Sequence, residues 1–289
     1  IYVSVHADGF SDESANGWSV YTSEGETKSD LIASVLLDKA TAEFPDEKMR
    51  GTKEEDFYVL RKTVMPAILS ENFFMTNFDN CHTYLLSEEG RDIPFEERKD
   101  WDYFWMIDPL DGTKEFVKRN GEFTVNIALI HNQKAIMGII YVPVKDDLYL
   151  GVQKVGSFKV EAFSALEEIS TEKLLNDETK LPKAVDRKYT IVGSRSHMSP
   201  ETEQFIEAKR VEQGEVEMIS VGSSLKLCMV AEGLADDYPR FAPTMEWDTA
   251  AGHAICNAVG VEVNSCKTNK SLLYNKENLI NPWFLVNKN

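Results

Sequence analysis

The chemistry in this sequence concentrates between Tyr103 and Asn126. There Asp108-Pro109-Leu110-Asp111-Gly112-Thr113 places two carboxylates three residues apart, directly after an apolar run. Two nearby carboxylates repel each other unless a hard cation such as Mg²⁺ lies between them, so the pair reads as a metal site. Two other readings compete. Asp-Gly is a common dipeptide of surface turns. The phosphotransferase pattern Asp-x-Asp-Gly-Thr uses an aspartate as nucleophile, but its carboxylates share a strand face at period 2, which a spacing of three does not.

Further acids and cations form a second tier. Leu85-Leu86-Ser87-Glu88-Glu89-Gly90 reads as a strand end carrying paired acids, which by themselves are an ordinary solvated surface. Trp247-Asp248-Thr249-Ala250-Ala251-Gly252-His253-Ala254 opens a small-residue helix with Asp248 at the expected N-cap, a role compatible with holding a metal. Asp30 stands at the start of an amphipathic helix, where a dipole partner or cap is the ordinary reading. Gly222-Ser223-Ser224-Leu225-Lys226 opens another predicted helix, and helix N-termini offer free N–H groups to anions.

These residues need elements to hold them. Tyr103 to Ile107 is too short for a helix and too apolar for a loop, so it reads as a buried strand. Pro109 cannot extend the ladder and Gly112 tolerates a tight turn, so the two aspartates fall at the strand's end, where open α/β sheets place their sites. Leu31, Ile32, Val35, Leu36, Ala40 and Phe44 predict a helix from Asp30 to Pro45. Phe123–His131, Ala135–Val144 and Leu148–Val152 predict antiparallel strands. Beyond them come a charged, helix-prone stretch at 161–187, a strand at Tyr189–Val192, a helix at Pro200–Gln213, a strand at Val216–Val221 and helices at Ser223–Glu232 and Trp247–Ala258. Residues 1–26 show no sustained period, and 47–84 read as an insertion or a surface-packed hairpin. The expected organisation is one catalytic unit of two subdomains, 27–160 with the metal site and 161–289.

Composition narrows the function. With 289 residues, 43% of them hydrophobic, the chain can bury a large core. A formal charge of −17 argues against nucleic-acid polymers and anionic membranes as partners, since both are polyanions. Cys81, Cys228, Cys256 and Cys266 show no C-x-x-C spacing, which favours reduced thiols and a reducing compartment. No run of 18 apolar residues and no basic segment followed by an apolar core occurs, so neither a membrane span nor a signal peptide is expected.

The ordered motifs Leu-Leu-Ser-Glu-Glu-Gly, Asp-Pro-Leu-Asp-Gly-Thr-Lys-Glu-Phe and Trp-Asp-Thr-Ala-Ala-Gly-His-Ala resemble the lithium-sensitive, Mg²⁺-dependent phosphomonoesterase superfamily that includes inositol monophosphatase. Lys118-Arg119-Asn120-Gly121-Glu122-Phe123, Ser194-Arg195-Ser196-His197, Gly222-Ser223-Ser224-Leu225-Lys226 and Tyr238-Pro239-Arg240 look like its CysQ-type 3'(2'),5'-bisphosphate nucleotidases. The resemblance runs from Leu85 to Phe284. It implies an α/β, layered αβαβα sugar-phosphatase-like fold with two mixed sheets, the 161–289 subdomain binding nucleotide. It implies that Glu88, Asp108, Asp111, Asp248 and the Leu110 carbonyl hold two or three magnesium ions. Gly112, Thr113, His197, Ser223, Lys226 and Arg240 then bind substrate, and Thr113 orients the attacking water. Thr27-Lys28-Ser29-Asp30, with Phe44-Pro45-Asp46 behind it, fits the family's T-x-x-D segment and makes Asp30 the expected catalytic base partner.

Two departures stand out: residues 1–26 do not look like the family's opening helix, and 47–84 are extra, which leaves Glu54 and Glu55 as rivals to Glu88. The implied activity removes the 3'-phosphate of adenosine 3',5'-bisphosphate, with the 3'-phosphosulfate analogue as a second substrate, in sulfur metabolism. An inositol phosphate phosphatase and a non-catalytic nucleotide-binding regulator are the alternatives. The expected setting is a monomer or weak dimer in the cytoplasm, with peripheral attachment to the inner membrane left open.

Overall fold

In the computed structural model the described residues are 2–8, 18–22, 30, 33–34, 38, 49–54, 67–74, 84–90, 92–166, 170–183, 186–194 and 199–288. The chain divides into two compact units, residues 1–85 with 162–175, and residues 86–161 with 176–289.

In the first unit, strands β1 (Tyr2–Asp8), β2 (Trp18–Thr22), β3 (Met49–Glu54) and β4 (Ala67–Phe74) form a mixed sheet in the order β1-β4-β2-β3. This corrects the hairpin expected within 47–84. β3 and β4 are not neighbours: β4 pairs with β1 and β2, and β3 pairs with β2 in parallel. Asp30, Ala33, Ser34 and Asp38 are helical, in accord with the helix expected from Asp30.

Among its described residues the 161–187 stretch forms only a 3₁₀ turn at Phe163–Ala165 and one helical turn, α3, at Thr171–Leu174. Helix propensity loses here because Phe163, Leu174 and Leu181, the buried apolar residues among those described, are eleven and seven residues apart, fewer than one per helical turn, and leave a helix little apolar face to bury.

The second unit carries the chemistry. Its first sheet runs β10-β9-β8-β7-β6-β5, with β5 Tyr84–Ser87, β6 Tyr103–Asp111, β7 Thr124–His131, β8 Lys134–Val142, β9 Asp147–Val152 and β10 Gly156–Val160. Two short helices flank β6, α1 at Phe95–Arg98 and α2 at Thr113–Lys118. β6 to β10 form an antiparallel meander, as the β-rich runs predicted. Phe104, Met106 and Ile107 bury the strand that leads to the aspartates.

The second sheet is mixed, in the order β12-β11-β13-β15-β14, from Tyr189–Ser194 (β11), Val216–Val221 (β12), Asp237–Arg240 (β13), Glu262–Ser265 (β14) and Phe284–Asn287 (β15). Helices α4 (Pro200–Gln213), α5 (Leu225–Glu232) and α6 (Glu246–Asn257) complete it. The architecture is α/β, and two of the three sheets among the described residues, the β1–β4 sheet and this one, are mixed, as expected.

Helix α6 lies against β7, β8 and β9 and against α5, which in turn packs on β11 and β13. Its approach is closer than a side chain allows. A Cβ on Gly138 would sit 2.1 Å from the Ala251 carbonyl oxygen, and one on Gly151 would sit 2.4 Å from Ile255 Cα. Ala250, Ala251 and Ala254 complete this small-residue contact. The helix is thereby seated on the meander's backbone, and Asp248, in its first turn, is delivered to the end of β6.

Candidate active site

The site begins with a fault in a strand pairing. β6 and β7 stay in register to Asp108 opposite Asn126, then slip, so that Asp111 faces Thr124. Pro109 has no N–H to donate, and the slip at Pro109-Leu110 turns both aspartates onto the strand's end. Asp108 is 1% exposed, and its Oδ1 accepts the Leu110 N–H at 2.9 Å. Its Oδ2 is buried without a partner. Gly112, with φ +91, turns the chain into α2, whose first residue, Thr113, is exposed.

Three carboxylates converge. Glu88, Asp108 and Asp248 each bring an oxygen within 4.8 Å of the other two. Glu88 follows β5, where its own N–H donates to the Ile107 carbonyl at 3.3 Å and so ties it to β6. Asp248 is three residues inside α6, whose N-cap is Met245. This corrects its expected N-cap position, though its Oδ2 still accepts the Met245 N–H at 2.8 Å. Glu54, the rival to Glu88, lies in β3 of the first unit, and Glu55 lies outside the described residues.

Asp111 belongs to the same electrostatic group but is held differently. Its Oδ2 accepts from Ser224 Oγ at 2.6 Å, from Asn126 Nδ2 at 3.4 Å and from Thr124 Oγ1 at 3.5 Å. Ser224 Oγ also accepts from Asn126 Nδ2 at 2.9 Å and lies 2.8 Å from the Asp248 carbonyl oxygen. One buried hydroxyl therefore ties the end of β6, β7 and the first turn of α6 together. With Oδ2 engaged, Asp111 has Oδ1 left for a ligand.

Burial and mutual repulsion push these acids up. Asp108 rises to about 9, first through burial and then through Asp111 and Glu88. Asp248 rises to about 7, through burial and then Asp111. Glu88 is also raised, chiefly by its partial burial. An all-oxygen donor set, an orphaned buried carboxylate oxygen and acids that resist ionisation together fit a hard divalent cation of the Mg²⁺ type.

An open cleft adjoins the cluster, lined by Asp111, Asp248, Gly112, Ser223, Lys226 and Arg240 among others. The helix expected from Ser223 begins instead at Leu225, with Ser223 in the left-handed region at φ +47. Lys226 is 6% exposed; its ammonium donates to the Ser223 carbonyl at 2.5 Å and sits 5.5 Å from the Tyr238 ring centroid. Arg240 Nη2 donates to the Pro243 carbonyl at 3.1 Å, while its Nε and Ser223 Oγ are buried without partners. Unsatisfied donors and a buried cation on one cleft wall suit an anionic ligand.

Of the expected residues, Glu88, Asp108, Asp111, Asp248, Gly112, Ser223, Lys226 and Arg240 gather at this site. Leu110 is half-buried within the bulge, Asp30 is a half-buried helical residue of the first unit, and His197 lies outside the described residues. Sequence reasoning missed Thr124, Asn126 and Ser224. A signal for two of them was present: Thr124 and Asn126 are polar residues at period 2 in an otherwise apolar strand, and both are buried.

Comparison with known proteins gives a consistent picture. The family model described as "Inositol monophosphatase family" matches residues 31–286. The 3'(2'),5'-bisphosphate nucleotidase CysQ of Shigella flexneri is 45% identical over 204 residues, 70% of this chain and 74% of its own. That of Escherichia coli strain K12 is 44% identical over the same shares. The crystal structure of CysQ from Bacteroides thetaiotaomicron, a bacterial member of the inositol monophosphatase family, aligns with a TM-score of 0.67 at 51% identity. That alignment covers 73% of this chain and 78% of the other. Staphylococcal IMPase-II aligns at 0.53 with 20% identity over 73% and 71%, a likeness of fold alone.

Proposed function

Since the chain belongs to the inositol monophosphatase family, we propose that it is a Mg²⁺-dependent 3'(2'),5'-bisphosphate nucleotidase. It removes the 3'-phosphate of adenosine 3',5'-bisphosphate to leave AMP and phosphate, and takes the 3'-phosphosulfate analogue as a second substrate. The observation that carries this reading is the union, around one cleft, of a converging carboxylate cluster with buried, unpaired phosphate-type donors.

Glu88, Asp108, Asp248, Asp111 through its Oδ1, and the Leu110 carbonyl are the groups to hold two or three magnesium ions. When bound, magnesium supplies the positive charge that neutralises the phosphate and stabilises the leaving oxygen. Lys226, Arg240, Ser223 and His197 bind the nucleotide and its phosphates, with Arg240 offering the planar donor geometry that phosphate favours. Thr113 orients the attacking water and Asp30 receives its proton. The water oxygen adds to phosphorus as the bond to the ribose 3'-oxygen breaks, so no covalent phosphoenzyme is needed.

No helix among the described residues is long and apolar enough to cross a membrane. Cys228, Cys256 and Cys266 are free thiols, which supports a reducing, cytoplasmic setting. We take the working form to be a monomer or weak dimer.

Phosphate release from adenosine 3',5'-bisphosphate, its 3'-phosphosulfate analogue, 2'-AMP and inositol 1-phosphate, with Mg²⁺ and after exhaustive chelation, tests the reading. Turnover of the bisphosphate nucleotides only in the presence of Mg²⁺ is expected. A preference for inositol 1-phosphate, or full activity after chelation, would overturn it.

Lys226 sets a pH limit. Burial pulls its ammonium down to about 8. Only the charged form attracts phosphate, so kcat/KM, which reports the free enzyme, should fall as pH rises through about 8. Between that value and the ordinary 10.5 the unfolded chain still binds a proton that the native protein has lost. This group therefore makes stability rise with pH while activity falls. Profiles of kcat/KM and of Tm, both taken in saturating Mg²⁺ so that the carboxylate cluster does not titrate, check the opposite slopes, and Lys226→Met should flatten both.

A further inference from the structure

The segment that follows the metal motif carries two glutamates, Glu115 and Glu122, which the chemistry above does not use. Both reach the turn that precedes Lys226. The Gly222 N–H donates to Glu122 Oε2 at 2.8 Å. A Cβ on Gly222 would lie 2.5 Å from Glu115 Cγ, 3.0 Å from its Cδ and 3.0 Å from the Glu122 carbonyl oxygen. A side chain at 222 would force Glu115 or the Glu122 carbonyl to shift. The next residue, Ser223, holds φ +47, a conformation a serine keeps only where its surroundings over-determine it. A Cβ on Gly112 would in turn stand 3.2 Å from Ser223 Cβ, so the turn after β6 and the turn before α5 interlock.

We propose that Glu122 is a positioning residue for phosphate recognition: through the Gly222 amide it holds the 221–226 turn so that Ser223 and Lys226 face the cleft. Glu115 packs into the space that Gly222 leaves open. This rests on the reading of Ser223 and Lys226 as substrate contacts. The hydrogen bond spans 100 residues of chain and joins the segment carrying Asp111 to the segment carrying Lys226, so the metal end and the anion-binding end of the cleft keep a fixed spacing. An ionised acceptor suits this task, because a carboxylate–amide bond is shorter and stronger than one between neutral groups. Both glutamates also favour the charged form of Lys226, which an uncharged clamp would not do.

The test is steady-state kinetics of the full chain on adenosine 3',5'-bisphosphate with Mg²⁺, together with calorimetric Mg²⁺ binding. Glu122→Ala is expected to raise KM roughly tenfold or more, with kcat within about a factor of two and Mg²⁺ affinity unchanged, since the interaction lost serves binding rather than the chemical step. Glu122→Gln, which keeps an acceptor for the amide, should recover most of that KM. Gly222→Ala should also raise KM, and Glu115→Ala in that background should lower it again by clearing space for the new methyl group.

An unchanged KM in Glu122→Ala, or a fall in kcat at constant KM accompanied by a lower Tm, would overturn the proposal in favour of a merely structural glutamate. If Glu122→Ala does not fold, Glu122→Leu, which fills the same space without an acceptor for the Gly222 amide, takes its place, and an unchanged KM in that variant would overturn the proposal. A parent enzyme inactive on the bisphosphate would overturn the substrate reading alone, and the same KM comparison would then be made on whichever phosphate ester of the panel is turned over.

Discussion

Asp108→Asn is expected to lower kcat by about three decades or more and, at the same time, to raise the melting temperature of the metal-free protein at neutral pH. The two effects share one cause. Asp108 is buried beside Glu88 and Asp248, and its Oδ2 has no protein partner. An ionised carboxylate in that position is an uncompensated buried charge until a cation arrives. Its carboxyl is pushed up to about 9, mainly by burial and then by Asp111 and Glu88, from an ordinary 3.8. Between those values the native protein keeps a proton that the unfolded chain has released, so the native state binds more protons and metal-free stability falls as pH rises.

Asparagine has no proton to lose, so the variant's decline should be shallower, with the residue due to Asp248 and Glu88, which are also raised. Saturating Mg²⁺ should reverse the decline in the parent, because a ligand that binds only the folded state stabilises it. It should do far less in the variant. Turnover, and Tm against pH in chelator and in Mg²⁺, check all of this. A variant with parental activity, or one whose metal-free Tm falls with pH as steeply as the parent's, would remove Asp108 from the centre of the metal site.

The second large effect is expected at Asp30. The proposed mechanism gives Asp30 the proton of the attacking water, and on that proposal Asp30→Asn should lower kcat by roughly two to four decades, the usual scale of general-base assistance, while leaving Mg²⁺ affinity nearly intact. Asp111→Asn gives the contrast, since it removes a proposed metal ligand and should weaken Mg²⁺ binding as well. Asp30 is helical and half-buried, so a purely local role at the start of its helix predicts a different pattern. That role costs about 1 kcal/mol of stability and leaves turnover nearly normal. Turnover, Mg²⁺ titration and Tm on the two variants separate the roles, and a less stable but fully active Asp30→Asn protein would assign Asp30 to its helix.

The features legible in the sequence are those that a few neighbouring residues decide. The apolar run Tyr103–Ile107 has to be a strand, and Pro109 and Gly112 have to end and turn it, whatever the rest of the chain does. Pro200–Gln213 and Val216–Val221 carry the same kind of local signal and form the predicted helix and strand. Glu88 and Asp248 were legible as partners of Asp108 only through the resemblance of the ordered motifs to a known family, since taken alone they read as solvated surface and a helix cap.

Path through space decided the rest. Nothing local distinguishes Ser224 from Ser223, yet Ser224 Oγ meets Asp111 across 113 residues and Asn126 across 98. Nothing near Glu122 announces that its carboxylate will accept from Gly222. In 47–84 the strands exist but pair with β1 and β2 rather than with each other, a choice of ladder partner that local propensity does not encode. The physical reason is the same in each case. Secondary structure answers to interactions within a turn or two of chain, whereas the partner of a buried hydroxyl, carboxylate or strand edge is whichever group the folded chain brings to within about 3 Å.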